Sequence, residues 1–297
     1  METKDMTKKR MFTFLSIVFG ILYIPWIIGI IIPSLGETVY AIIGSQLVFM
    51  GTPALAVFLT RKLTKDETPL NFSTKIFKNK KALLFSTLVP SACIFLGTVL
   101  FFLIFPEDLD FEGRFISETY GAFGAPQDIQ FTIGSMLLMG FIVYVISAVA
   151  FPIWYIALGE DIGWQGYMLP LLCKKMPVKC AVIMNGVFWG LAHAPLIYYG
   201  LNYGTDYFGA PYAGILMMIL VTIVLGIWMS YITLKTKNCM YAAIIHGATD
   251  IIGEVGNWIS LSTKSSLLGP IPSGIISLSV LLIGAVILFF RMPSDVK

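Results

Sequence analysis

The chain has 297 residues, of which 57% are hydrophobic and 12% are charged, against roughly 45–50% and roughly 25% in soluble domains. This composition excludes a water-soluble globular fold and suffices for about eight membrane helices of about 20 residues each. The net charge of +3 is too small to indicate a nucleic-acid partner.

Apolar runs of membrane-spanning character follow one another along the whole chain. They cover residues 11–32, 39–60, 82–105, 129–158, 181–199, 213–234, 240–258 and 274–290. We therefore predict an all-α polytopic membrane protein with about eight transmembrane helices, forming a single transmembrane domain over residues 1–297. The fourth run continues to Cys173, which is too long for one upright span, so we expect it to bend or break near Pro152 and Gly159.

Basic residues are distributed unevenly between the segments that connect these runs. If both termini are cytoplasmic, all but two of the 20 basic residues fall in inner segments, the exceptions being Arg114 and Lys264. The positive-inside rule therefore predicts cytoplasmic termini. The inner segment 62–81 mixes lysines with Phe72 and Phe77, a pattern typical of a short interfacial helix.

A few ionisable residues lie within apolar sequence, where a charge costs about 2.5–3.5 kcal/mol on insertion scales. They are Glu160, Asp161, His193, His246 and Asp250. Glu254 lies one helical turn beyond Asp250, and we assign it to the outer surface instead of the site.

These side chains suggest a polar cavity with hydrolytic chemistry. His246 and Asp250 are four residues apart and share a helix face. Two imidazoles and a carboxylate suit a zinc site, with Glu160, His193 and His246 as ligands and an open position for water. The same groups equally suit metal-free activation of water by a general base, and the residues alone do not choose between the two.

Three strings carry a family resemblance. They read EDIGWQGYMLP from Glu160, WGLAHAPL from Trp189 and IIHGATD from Ile244. Together they resemble the CPBP family of intramembrane proteases, which includes CAAX prenyl proteases and bacteriocin-processing (Abi) enzymes, over a core of about 130–260. Asp161 stands where the first motif of the family has a second glutamate, and Gln165 stands where it has arginine.

The resemblance implies an intramembrane endopeptidase acting on a hydrophobic, prenylated or leader-type peptide within membrane lipid. It implies that Glu160 activates water, that Asp161 supports it, and that His193 and His246 position water or a metal such as zinc. For Asp250 we favour the role of holding His246 in one tautomer. The expected location is multi-pass in a bacterial cell membrane, and Gln165→Arg is expected to preserve or raise activity.

Two other functions remain open at this point. A noncatalytic scaffold or bacteriocin-immunity protein of the same fold is suggested by Gln165, because glutamine lacks both the charge and the bidentate fork of arginine. A proton-coupled transporter would also place carboxylates and histidines inside the membrane.

Overall fold

The computed structural model describes residues 4–114, 117, 132–149 and 152–293, and these are helical over most of their length. A π-helix, Ile162–Met168, lies between the α-helices Pro152–Asp161 and Leu169–Cys173. The α-helices are α1 Lys4–Ile31, α2 Gly36–Ile43, α3 Gln46–Thr64, α4 Lys80–Ile104, α5 Ile133–Val149, α6 Pro152–Asp161, α7 Leu169–Cys173, α8 Val178–Ala192, α9 Ala194–Tyr198, α10 Tyr212–Thr236, α11 Met240–Trp258 and α12 Ile275–Phe290.

The helices confirm an all-α polytopic membrane protein. Four of them are long and apolar enough to cross a membrane, namely Asp5–Ile31, Leu47–Thr64, Lys80–Ile104 and Tyr212–Thr236. Shorter apolar helices cover Ile133–Ile142, Val178–Ala192 and Ile275–Phe290. Across the described ranges, extended structure is limited to one isolated bridge between Leu109 and Ser260.

Several predicted runs are interrupted helices. The run 39–60 divides at Ser45, whose hydroxyl accepts a hydrogen bond from the Val48 amide and caps α3. The run 181–199 divides at His193, where α8 ends and α9 begins. Residues 129–131 and 150–151 of the run 129–158, and most of the segment 106–128 that precedes it, lie outside the described residues.

The helix α6 and the π-helix pack directly against α3. A Cβ on Gly159 would lie 2.4 Å from the Met50 carbonyl oxygen, and one on Gly163 would lie 2.3 Å from the Pro53 side chain. Both distances are too short for any side chain, so only glycine allows these backbones to approach so closely. This contact fixes the helix that carries Glu160 and Asp161.

The interfacial helix predicted within 62–81 is wrong. Apart from the end of α3 and the start of α4, this segment contains only a 3₁₀ turn, Ile76–Lys78. Its backbone instead binds other elements: the Ser73 amide donates to Asn238 Oδ1 at 2.8 Å, and the Asn71 carbonyl accepts from the Cys239 amide at 2.7 Å. Because these groups are already paired across the bundle, a separate helix gains little here.

Asp66 anchors the same inner segment. Its carboxylate lies 3.2 Å from Arg10 of α1 and accepts from the Tyr167 hydroxyl of the π-helix at 3.0 Å. Burial acts to raise the pKa of Asp66, but hydrogen bonds from Thr68 and Tyr167 and the charge of Arg10 outweigh it and hold the pKa below its usual value. The inner segment is thus fastened to both α1 and the π-helix.

Candidate active site

Glu160 and Asp161 end α6 as a pair of buried carboxylates, each 1% exposed. The Trp189 indole Nε1 donates to Glu160 Oε1 at 3.2 Å. The second oxygen, Oε2, is buried and has no hydrogen-bond partner. A buried carboxylate oxygen without a donor is costly, so its position indicates a place for a ligand or water.

His246 brings the carboxylates together. Its Nδ1 lies 3.2 Å from Asp161 Oδ2, and its Nε2 lies 3.8 Å from both Glu160 Oε2 and Asp250 Oδ2. The gaps of 3.8 Å exceed a direct hydrogen bond but allow one oxygen atom to bond to both sides. With a proton on Nδ1 donated to Asp161, Nε2 faces the gap.

The structure places Asp161, and not Asp250, in hydrogen-bonding contact with His246 Nδ1. The sequence predicts that Asp250 holds the tautomer of His246, whereas Asp250 lies at the other ring nitrogen, 3.8 Å from Nε2. Its side chain is 47% exposed. Asp250 is thus placed beside the reacting groups and open to a ligand.

His193 lies at the end of α8 beside the same cluster. Its Nδ1 lies 2.9 Å from the carbonyl oxygen of Trp189, and its ring packs edge-on against Phe49 with centroids 4.8 Å apart. If Nδ1 donates to that carbonyl, Nε2 remains for a ligand. Trp189 thus connects the histidines, since its indole also packs edge-on against His246.

The metal prediction gains no geometric support. Among the described residues, no three His, Cys, Asp or Glu side chains form a group that could hold a metal ion. Zinc bound by Glu160, His193 and His246 stays a prediction for chelation experiments to test, and the chemistry below uses only protein groups.

These side chains border a cavity of about 440 Å³. Glu160, His193, His246 and Asp250 all line it, so four of the five predicted residues meet at one cavity while Asp161 supports them from behind. The cavity extends past Asn202, Ile271 and Ser273, which belong to the predicted outer segments.

Glu254 also lines this cavity, which corrects its assignment to a surface away from the site. The signal in the sequence is its spacing of four from Asp250, which places both on one helix face. Gln165, in contrast to Glu254, lies away from the cavity. It is 0% exposed, does not border the cavity, and accepts a hydrogen bond from Ser230 of α10 at 3.0 Å.

The fold and the site together define a polytopic helical membrane protein with a buried carboxylate and histidine cluster beneath a cavity. Residues 137–252 match the sequence model of the family described as "Type II CAAX prenyl endopeptidase Rce1-like". The chain is also 31% identical over 86 residues to "CAAX prenyl protease 2" of Methanococcus maripaludis. That match spans 29% of this chain and 32% of the relative, so the chain matches about a third of the relative's length. The motif-bearing core is thus similar in sequence to CAAX-type prenyl proteases.

Proposed function

We propose that the protein is an intramembrane endopeptidase that hydrolyses a peptide bond of a hydrophobic or prenylated peptide. The observation that carries this proposal is the position of Glu160 Oε2, which is buried, has no hydrogen-bond partner, and lies 3.8 Å from His246 Nε2 at the cavity wall. The family match and the similarity to a CAAX prenyl protease support the same reaction.

In the proposed mechanism Glu160 acts as a general base. A water held between Glu160 Oε2 and His246 Nε2 gives its proton to Glu160 while its oxygen attacks the scissile carbonyl carbon. The carbon–nitrogen bond then breaks, and the amide nitrogen leaves with the proton that Glu160 returns. His246, oriented by Asp161, and His193 each present an Nε2 lone pair that can accept a hydrogen bond from the water.

A noncatalytic scaffold is the second candidate, since Gln165 occupies the position of the family's arginine. The location of Gln165 weakens this reading. Its side chain contacts α10 and not the cavity, so its identity does not alter the groups that face a substrate.

The test is hydrolysis of quenched fluorescent hydrophobic and prenylated peptides by purified protein in lipid nanodiscs. We expect Glu160→Gln to lower turnover by about 10²-fold or more, because general-base catalysis typically contributes that much. Glu37→Gln, which changes an exposed glutamate of α2, is the matched control and should behave as wild type. Each protein is assayed with and without a zinc chelator, which tests the metal prediction separately.

Turnover by the Glu160→Gln variant at the rate of wild type would refute the mechanism. A folded wild-type protein that cleaves none of these peptides would favour the scaffold.

A further inference from the structure

The helix α11 presents a narrow acidic edge to the cavity. Over residues 240–258, all of which the structure describes, only Asp250 and Glu254 are exposed, and both line the cavity. They continue the face of His246 at intervals of four residues. The edge is also held in place, because the Asn257 amide group donates to Glu254 Oε2 at 3.2 Å.

The described cavity wall is rich in carboxylates, and its basic side chains are the imidazoles of His193 and His246. Among the described lining residues there is no Lys or Arg to balance Glu160, Asp250 and Glu254. The two basic residues of the outer segments are already engaged, Lys264 with Glu107 at 2.7 Å and Arg114 with Glu112 at 2.9 Å. A cavity lined by charge of one sign attracts ligands of the opposite sign.

Part of the cavity is apolar. Met218, Val221 and Leu225 of α10 line it. The cavity thus has an aliphatic wall that fits an apolar segment and a carboxylate edge that fits a cation. The orphaned Glu160 Oε2 at the same cavity marks where the reacting bond would lie.

The spacing along α11 sets the distance between the reacting bond and a substrate cation bound at Glu254. Glu254 follows His246 by eight residues, or roughly 12 Å along a helix. An extended peptide advances about 3.3 Å per residue, so this distance corresponds to three or four residues of substrate.

We propose that Glu254, aided by Asp250, selects substrates with a lysine or arginine within about four residues of the scissile bond. This inference rests on the proposed function, because it assigns a substrate class to the same site. Glu254 is then a specificity-determining residue that binds the cation, while Glu160 acts on the peptide bond.

The experiment uses the full-length protein in nanodiscs and a set of quenched fluorescent peptides with one apolar core. Lys, norleucine or Glu is placed singly at each of four positions on either side of the scissile bond. The peptides have blocked termini, and a parallel set with a free amino terminus distinguishes a side-chain cation from a terminal one. The value of kcat/KM is measured for wild type, Glu254→Gln, Glu254→Lys and the control Glu37→Gln.

For wild type and Glu37→Gln we expect kcat/KM to favour Lys over norleucine by about two- to fivefold at one position, the effect of a solvent-accessible ion pair. The preference should fall to about one in Glu254→Gln and favour Glu in Glu254→Lys, and it should weaken with added salt.

Cleavage of all peptides without a charge preference, or with the same preference in wild type and Glu254→Lys, would overturn the inference and leave the proposed function standing. A preference for the free amino terminus alone would also overturn the assignment to a lysine or arginine side chain. Cleavage of no peptide by the folded wild type would overturn both.

Discussion

His246 is held from two sides, and the order of residues along α6 explains how. Consecutive residues of a helix point about 100° apart. Glu160 therefore reaches Nε2 at the cavity while Asp161, the next residue, reaches Nδ1 behind the ring. Adjacent acids in the sequence thus face different nitrogens of one imidazole, Glu160 at the cavity wall and Asp161 behind the ring.

Asp161→Asn tests this arrangement. An asparagine can present an amide NH₂ to Nδ1, which would favour the tautomer with its proton on Nε2 and remove the lone pair that faces Glu160. We expect kcat to fall by about 10²-fold, the upper end for loss of a group that orients a histidine, with little change in KM. Asp161→Glu keeps the charge and should recover part of the activity. Equal kcat values for wild type and the asparagine variant would assign Asp161 a structural role only.

The Gln165→Arg variant tests whether the family motif or the buried environment of this position decides the effect of an arginine. The sequence suggests that arginine would preserve or raise activity, whereas the structure places this side chain at 0% exposure beside the hydroxyl of Ser230. A guanidinium buried there in place of the neutral amide should destabilise the protein by about 3 kcal/mol or more. Gln165→Met, which is similar in length and uncharged, should cost about 1 kcal/mol for the lost hydrogen bond. Thermal unfolding in detergent distinguishes them, and a stable, more active arginine variant would restore the family's role for this position.

For individual residues, the sequence predicts which side chains lie close together but not which of their atoms are paired. Glu160, His193, His246 and Asp250 could be found because charges and imidazoles are rare within apolar runs. The partner of each histidine nitrogen depends on side-chain directions from three helices. The role of Glu254 depends on which face of α11 borders empty space, and hydropathy carries no information about that.

Among the elements, α3 supports the site without contributing a reacting group. It packs against α6 at Gly159 and against the π-helix at Gly163. The π-helix begins immediately after Asp161, and such helices are frequent at functional sites because the extra residue re-aims neighbouring side chains. The close approach of α3 therefore determines where Glu160 and Asp161 point.

Gly163→Ala is predicted to disturb this packing. The added methyl group would meet Pro53 at 2.3 Å and part of its backbone at 3.0 Å, so α3 or the π-helix must shift. Overpacking of this kind typically costs 1–3 kcal/mol, about that much is expected here, and activity should fall with it. Gly20→Ala is the matched control, because that position in α1 has nothing within 4 Å and helix propensity favours alanine. Unchanged melting temperature and turnover in Gly163→Ala would show that this contact is not limiting.

Hydropathy predicts the elements better than their interruptions. The run 240–258 coincides with α11, and the run 82–105 differs from α4 by a residue or two at its ends. The hydropathy pattern does not predict the helix interruptions at Ser45 and His193, since a single polar residue hardly lowers the mean hydropathy of a span. The inner segment forms no separate helix because its backbone is paired with Asn238 and Cys239, which are far away in the sequence.

For the whole molecule, the charge distribution and the extent of the cavity together indicate from which side of the membrane the site is reached. The lysine-rich inner segment passes beneath the site, where the Asn71 amide donates to the Gly166 carbonyl at 3.4 Å. The cavity extends the other way, toward Leu201, Asn202 and Ser273. With the termini cytoplasmic, this arrangement predicts that substrates enter from the side opposite the cytoplasm.

Cysteine labelling tests the direction of the cavity. In a variant whose four native cysteines are replaced by serine, single cysteines are placed at Leu201 in the cavity wall, at Phe208 in the same segment with 98% exposure, and at exposed Lys78 of the inner segment. A membrane-impermeant maleimide added to intact cells should label Leu201→Cys and Phe208→Cys but not Lys78→Cys until the cells are lysed, because inner segments carry the positive charge. Labelling of Lys78→Cys alone in intact cells would reverse the orientation and direct the cavity to the cytoplasm.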